Sequence, residues 1–206
     1  EGYYEFQSPI LCPSKGEGGS DVFEVNYFGK PIYLAQTWQL YAETGIFGLE
    51  KIYTIAPSFR AEKHDTARYL AEYWHAEMEQ AWAEFDDIIS HGENLIKHIV
   101  KKVLKENAEE LALLDRDPKK LEPVINEPFV RMTYTKALEI LKKKCRITVE
   151  WGKDLRTMEE EALTRLYDVP VICTHYPKKV KAFYMREDPK NHEVVLGCDF
   201  LAPEGH

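Results

Sequence analysis

The segment from Ile52 to Trp82 constrains the fold more than any other part of the sequence. Ile52 to Phe59 reads as a strand, Arg60 to Arg68 is almost wholly polar, and Glu72 to Trp82 reads as the strand that returns. Side chains alternate between the two faces of a strand, so every second residue shares a surface. On this reading Arg60 and Glu62 project to one face. His75, Glu77 and Glu79 share one face of the return strand, as a metal cluster, as solvated side chains or as polar lining of a neighbouring pocket.

Around this hairpin the hydrophobic period switches repeatedly between two and nearly four. Glu1 to Leu11 reads as a strand that Pro9 brings to an end, and Ser14 to Ser20 as a loop rich in Gly, Lys and Glu. Val22 to Leu34 reads as a hairpin turning at Gly29-Lys30, followed by a helix capped at Thr37 and closed near Gly48. A long amphipathic helix is expected over Ala83 to Glu110, a surface connection over Asp115 to Pro128, and a second helix over Thr133 to Lys144. Pro170 to Thr174, Val180 to Met185 and Glu193 to Leu201 read as strands. Strands with helices inserted between them imply an α+β domain, an antiparallel sheet flanked by helices. Trp74, Trp82, Phe85 and Trp151 are expected in a core or an interface.

Bulk properties narrow the functional class. The 206 residues suffice for one domain with a sizeable core, and 44% hydrophobic with 30% charged residues is ordinary for a water-soluble protein. No apolar run approaches the roughly 18 residues that span a bilayer, and no signal-peptide pattern opens the chain, so a cytoplasmic protein without a membrane partner is expected. Cys12, Cys145, Cys173 and Cys198 form no CxxC pair, which fits reduced thiols better than a zinc ribbon or a disulfide framework. The net charge of −8 means that a nucleic-acid partner would need a local basic surface.

Chemistry concentrates in Phe59-Arg60-Ala61-Glu62 and the residues that follow. Arg60 and Glu62 on one face can form a simple ion pair. With Arg68 eight residues on and Tyr73 five beyond it, a nucleotide site is the richer reading. A guanidinium binds phosphate oxygens bidentately, a carboxylate accepts from an adenine amino group, and an aromatic face stacks on a base.

The order FRAE, then Thr66-x-Arg68-x-Leu70-x-Glu72-aromatic, resembles motif 2 of the class II aminoacyl-tRNA synthetases that charge Asp, Asn and Lys. That resemblance implies that Arg60 holds the α-phosphate of ATP and the substrate carboxylate, as the catalytic residue. It implies further that Glu62 contacts the adenine amino group, Arg68 reaches the γ-phosphate and Tyr73 stacks on adenine. The family has His where this chain has Tyr69. Gly2 through Leu11 is similar to the end of motif 1. Glu17-Gly18-Gly19 and Gln36-Thr37-Trp38-Gln39-Leu40-Tyr41 resemble segments in which Glu17 and Gln39 face the amino acid. Tyr176-Pro177-Lys178-Lys179-Val180-Lys181-Ala182-Phe183-Tyr184-Met185 is similar to a segment of the asparaginyl branch, and Asp199 sits where the family binds magnesium.

Aspartate-specific relatives carry Lys after the Gln-Leu-Tyr triplet, and this chain carries Ala42. A buried ammonium would pair with a substrate carboxylate. Without it, a buried aspartate side chain loses a partner whose removal costs about 3–5 kcal/mol. The resemblance therefore implies asparagine as the amino acid and tRNA(Asn) as the acceptor, with ATP and Mg²⁺, on residues 1–206 as part of a catalytic domain. It implies a homodimer in the complete enzyme, with motif 3 and an OB-type anticodon-binding domain outside this chain. An aspartyl-specific enzyme, an enzyme making free asparagine from aspartate, and a non-catalytic fragment are the other readings.

Overall fold

A computed structural model of the chain describes residues 2–15, 21–63 and 69–203. Two compact units divide it, Glu1–Ala83 and Glu84–His206.

In the first unit the expected opening strand is two short ones, β1 (Tyr4–Glu5) and β2 (Leu11–Cys12). Pro9 lies between them and has no N–H to give a ladder. β1 runs parallel to a later strand, β5, while β2 joins the hairpin of β3 (Glu24–Tyr27) and β4 (Lys30–Leu34). That hairpin turns at Phe28 and Gly29, both with positive φ, and Asn26 Oδ1 accepts the Gly29 N–H at 2.8 Å. Such a left-handed pair matches the strand twist, which is why Gly serves there.

Helix α1 spans Gln39–Leu49 and β5 spans Lys51–Phe59. β6 (Glu72–Gln80) pairs antiparallel with β5 in unbroken register, from Lys51 opposite Gln80 to Phe59 opposite Glu72. Strand β5 ends at Phe59, so Arg60 and Glu62 lie beyond it and the strand alternation expected of them does not hold. One face of the hairpin carries Ile52, Thr54 and Ser58, all buried, opposite Glu79, Glu77 and Tyr73. Helix α1 closes on this face through Trp38, Ala42 and Ile52, with Phe6 and Ile46 packed alongside. The Trp38 indole N–H donates to the Phe6 carbonyl at 2.6 Å, so its ring is buried without an orphan donor. Burying such a side chain contributes on the order of 2–3 kcal/mol.

The second unit opens with α2 (Phe85–Glu106), which stops at Asn107 before the short α3 (Ala108–Leu113). One helix was expected here. The Asn107 N–H closes α2 on Val103 O while its own carbonyl accepts from Leu111, so Asn107 ends one helix and starts the next. The expected connection after Asp115 holds a 3₁₀ turn, Pro118–Lys120, and a short helix α4, Glu122–Asn126. Its prolines start helices: Asp117 caps the turn ahead of Pro118, and Pro123 sits in the first turn of α4.

Strand β7 (Val130–Thr133) precedes α5 (Tyr134–Ile140), whose last residues continue as a π turn to Cys145. Thr133 caps α5 by accepting the Lys136 N–H. Helix α6 (Thr157–Thr164) follows, then β8 (Val171–Thr174), β9 (Glu187–Asp188), β10 (Asn191–Val195) and β11 (Cys198–Leu201). The sheet order is β11-β8-β7, with β7 parallel and β11 antiparallel to β8. β8 is buried on both faces. Val171 and Cys173 enter one core with Tyr134, Leu141 and Leu163, and Ile172 enters another with Ile89, Val124 and Phe129.

The strand expected over Val180 to Met185 is absent. A 3₁₀ turn covers Lys178–Val180, and Met185 N–H returns to Ala182 O, so local turns satisfy the backbone there. Trp74, Trp82 and Trp151 are exposed and belong to no core; of the expected aromatics Phe85 alone packs against one. No described helix is long and apolar enough to cross a membrane.

Candidate active site

The polar face of β6 and the start of α1 converge in the first unit. Alternation places Tyr73, His75, Glu77 and Glu79 on one face, opposite Ser58, Ala56, Thr54 and Ile52. Glu77 is mostly buried and holds the helix start. Its Oε1 accepts the Trp38 backbone N–H at 2.9 Å, and its Oε2 accepts a short hydrogen bond from the Thr37 hydroxyl. The same Thr37 oxygen accepts the Gln39 N–H at 3.2 Å. The N-cap residue of α1 is Trp38, one position beyond the Thr37 expected, and the Thr37 hydroxyl and the Glu77 carboxylate hold the backbone N–H groups of this start. Burial pushes Glu77 upward, but hydrogen bonds from His75, Thr37 and Trp38 outweigh it and hold the carboxyl below its usual range.

Two residues along, Glu79 behaves oppositely. Burial, then the nearby charges of Glu43 and Glu77, push it up to about 7. Of the polar strand face read from the sequence, one carboxylate therefore anchors α1 while the next is pushed towards its neutral form.

At the open end of the hairpin, the Arg60 N–H donates to Ala71 O at 3.0 Å and fixes the chain as it leaves β5. The Arg60 guanidinium lies 5.7 Å from the Tyr73 ring centroid. The structure thereby brings together the phosphate-type cation and the base-type aromatic singled out in the sequence. Glu62 is half-buried two residues further on. Gln39 sits at the first turn of α1, and Ala42 is fully buried against Trp38 and Ile52. A cavity of about 190 Å³ opens beside this helix start, with Cys12, Gln36, Thr37 and Tyr41 among its walls. Glu17 and Arg68 lie outside the described residues.

Asp199 belongs to the second unit, on β11 opposite Cys173. Its Oδ2 is 2.8 Å from Lys181 Nζ, and that ammonium lies 4.0 Å from the Tyr176 ring centroid. In the sequence Lys181 stands out only as part of the Tyr176–Met185 segment. Burial pushes the neighbouring Cys173 thiol up to about 12 and raises the Tyr176 hydroxyl. Burial likewise raises Asp154, with Lys181 pulling it down and Asp199 pushing it up. Asp199 itself is 38% exposed. Magnesium keeps several waters and binds through one or two carboxylates plus substrate phosphates. A single part-exposed carboxylate fits that habit, although here Lys181 holds its Oδ2, and the described residues contain no cluster of three His, Cys, Asp or Glu that would cage an ion.

Comparison with known proteins places the chain in a family. The model of the tRNA synthetases class II (D, K and N) matches residues 1–204. An asparagine–tRNA ligase from Thermoplasma acidophilum is 45% identical over 205 residues, covering 100% of this chain and 47% of the relative. The crystal structure of asparaginyl-tRNA synthetase from Pyrococcus horikoshii complexed with asparaginyl-adenylate is 44% identical. It superposes with a TM-score of 0.94 over 99% of this chain and 46% of that one. An aspartyl-tRNA synthetase from Entamoeba histolytica, 23% identical with a TM-score of 0.75 over 98% of this chain and 39% of that one, shares the fold. The chain thus spans about half the length of the relatives it matches.

Proposed function

The chain belongs to the class II tRNA synthetases of the D, K and N group, and from that premise we propose that its protein is an asparagine–tRNA ligase. The observation that carries this reading is the meeting of Arg60 with the Tyr73 ring at the open end of the β5–β6 hairpin. On the same sheet face, Glu77 holds the start of the helix that carries Gln39. Phosphate and base contacts stand at one end of this face and amino-acid contacts at the other.

The proposed reaction has two steps. The asparagine carboxylate attacks the α-phosphorus of ATP, releasing pyrophosphate and leaving asparaginyl-adenylate. A hydroxyl at the 3′ end of tRNA(Asn) then takes the acyl group and releases AMP. The first step needs little proton transfer from the protein, so positioning and charge neutralisation dominate. Arg60 would hold the carboxylate and the α-phosphate together, Tyr73 would stack on adenine, Glu62 would accept from its amino group, and Gln39 would face the amino acid. Arg68 and Glu17 would add the γ-phosphate and α-amino contacts. Asp199 would hold magnesium, which when bound supplies further charge neutralisation on the phosphates.

Ala42 supports asparagine over aspartate. Its site is fully buried and apolar, against Trp38 and Ile52. Helix α1 carries no Lys or Arg, so a substrate carboxylate beside its start would meet no ammonium from it, whereas a neutral amide avoids that penalty. The test is calorimetric binding of two non-hydrolysable adenylate analogues, asparaginyl and aspartyl. The expected preference for the asparaginyl form is about tenfold or more, or about 1.4 kcal/mol. Equal or reversed affinities would move the assignment to the aspartate branch, and absence of binding to both would refute the site.

A further inference from the structure

The face of β6 that carries Tyr73, His75 and Glu77 links three separate parts of the first unit. Each of these side chains touches a different stretch of the chain. Tyr73 lies under the Arg60 guanidinium at the end of β5. His75 Nδ1 is 3.3 Å from Ser58 Oγ, within β5. Glu77 grips Thr37 and the Trp38 backbone at the start of α1.

The three are also joined to one another. The His75 and Tyr73 rings are 5.4 Å apart between centroids and tilted by 54°. His75 Nδ1 is 3.1 Å from Glu77 Oε1, the oxygen that also accepts the Trp38 N–H. An ionised carboxylate only accepts, so the shared proton sits on Nδ1 and His75 donates it. That bond fixes the imidazole orientation, and the ring face is then presented to Tyr73. A continuous set of contacts runs from Gln39 through Thr37, Glu77, His75 and Tyr73 to Arg60.

We propose that His75 is a positioning residue that couples the amino-acid end of this face to its ATP end. The inference rests on the roles proposed above for Gln39, Arg60 and Tyr73. Adenylate formation requires a carboxylate oxygen within about 3–3.5 Å of the phosphorus, and an error of about 1 Å costs on the order of a hundredfold in rate. Two half-sites on different elements meet that tolerance only if something holds them in register. His75 is the one side chain in the set that touches both halves. Without it, Glu77 keeps Thr37 and Trp38, and Tyr73 keeps Arg60, so each half-site persists on β6 while the side-chain tie between them is lost. A ligand that orders one end then no longer prepares the other.

The test is calorimetry of asparagine and of α,β-methylene-ATP, each alone and each in the presence of the other, on the parent and His75 variants. In the parent, each ligand is expected to tighten the other about fivefold or more. In His75→Ala, single-ligand affinities stay within about twofold of the parent while the mutual tightening falls below about twofold. His75→Phe keeps a ring against Tyr73 and lacks the donor to Glu77. It carries the same expectation and guards against a folding defect in the alanine variant. His75→Gln, whose amide can donate to Glu77, restores the tightening. A purely structural His75 would change melting temperature or both single affinities and leave the mutual term intact, which would overturn the proposal. A parent that binds both ligands singly without mutual tightening would overturn it too, leaving the ligase reading standing. A parent that binds neither ligand would overturn both.

Discussion

Arg60 was legible in the sequence because few arrangements of residues serve phosphate and base together. The FRAE run and an aromatic thirteen positions later are readable without coordinates, and the structure sets the guanidinium 5.7 Å from the Tyr73 ring. Arg60 lies outside all three core clusters and the ladder, so its truncation removes chemistry while the hairpin register survives. Arg60→Ala is expected to lower ATP–pyrophosphate exchange by more than about a hundredfold, the scale of losing one oriented charge in a reacting site. Its melting temperature should stay close to the parent value. Arg60→Lys should rescue little, since a point charge does not reproduce the planar fork. Exchange at the parental rate in Arg60→Ala would remove Arg60 from the mechanism. Glu77 shows the limit of residue-scale reading. Its neighbours in the sequence mark it as one of three polar residues on a strand face, but its partners Thr37 and Trp38 lie some forty positions away.

At the scale of elements, the packing of α1 on the β5–β6 sheet sets two opposing effects against each other. Helix propensity alone says that Gly45→Ala should stabilise α1 by about 1 kcal/mol. A Cβ at that position, however, would come within 2.9 Å of Phe6 Cε1 and 3.0 Å of Cζ. The Phe6 ring packs edge-on against Trp38, and its carbonyl accepts the Trp38 indole N–H, so it has little room to retreat. Overpacking costs about 1–3 kcal/mol and prevails. Gly45→Ala should therefore lower the urea midpoint with an unchanged slope; a raised midpoint would show that Phe6 moves freely. The same interface holds Glu79, raised to about 7 by burial and by Glu43 and Glu77. A carboxyl whose folded pKa is raised favours folding below its unfolded value, 4.5, and that advantage is lost as pH rises towards 7. Glu79→Gln should therefore stabilise the fold at pH 8 by about 1–2 kcal/mol after allowing for solvent screening. The gain should shrink markedly at pH 5, and an equal gain at both pH values would show that Glu79 is not charged at a cost in the parent.

For the molecule as a whole, what the sequence determined by itself was the part encoded in local pattern. The β3–β4 hairpin, α1, the β5–β6 hairpin and α2 follow from period, turn residues and caps, all of which act within a few positions. So does the α+β class, and so does the family, because the ordered FRAE, Gln-Thr-Trp-Gln-Leu-Tyr and Tyr-Pro-Lys segments are strings of residues. Tertiary structure decided the rest. β7 went unread between the connection ending at Pro128 and the helix expected from Thr133, since four residues carry little period of their own and their partner is β8. The segment after Lys178 alternates like a strand but turns, with Lys181 drawn to Asp199 and local turns taking up its backbone hydrogen bonds. The contrast between Glu77, held charged, and Glu79, pushed towards neutrality, is invisible in a string where both are the same residue two places apart. Pattern is local, whereas a pKa, a buried cap or a tie between half-sites depends on which distant groups the fold brings within a few ångströms.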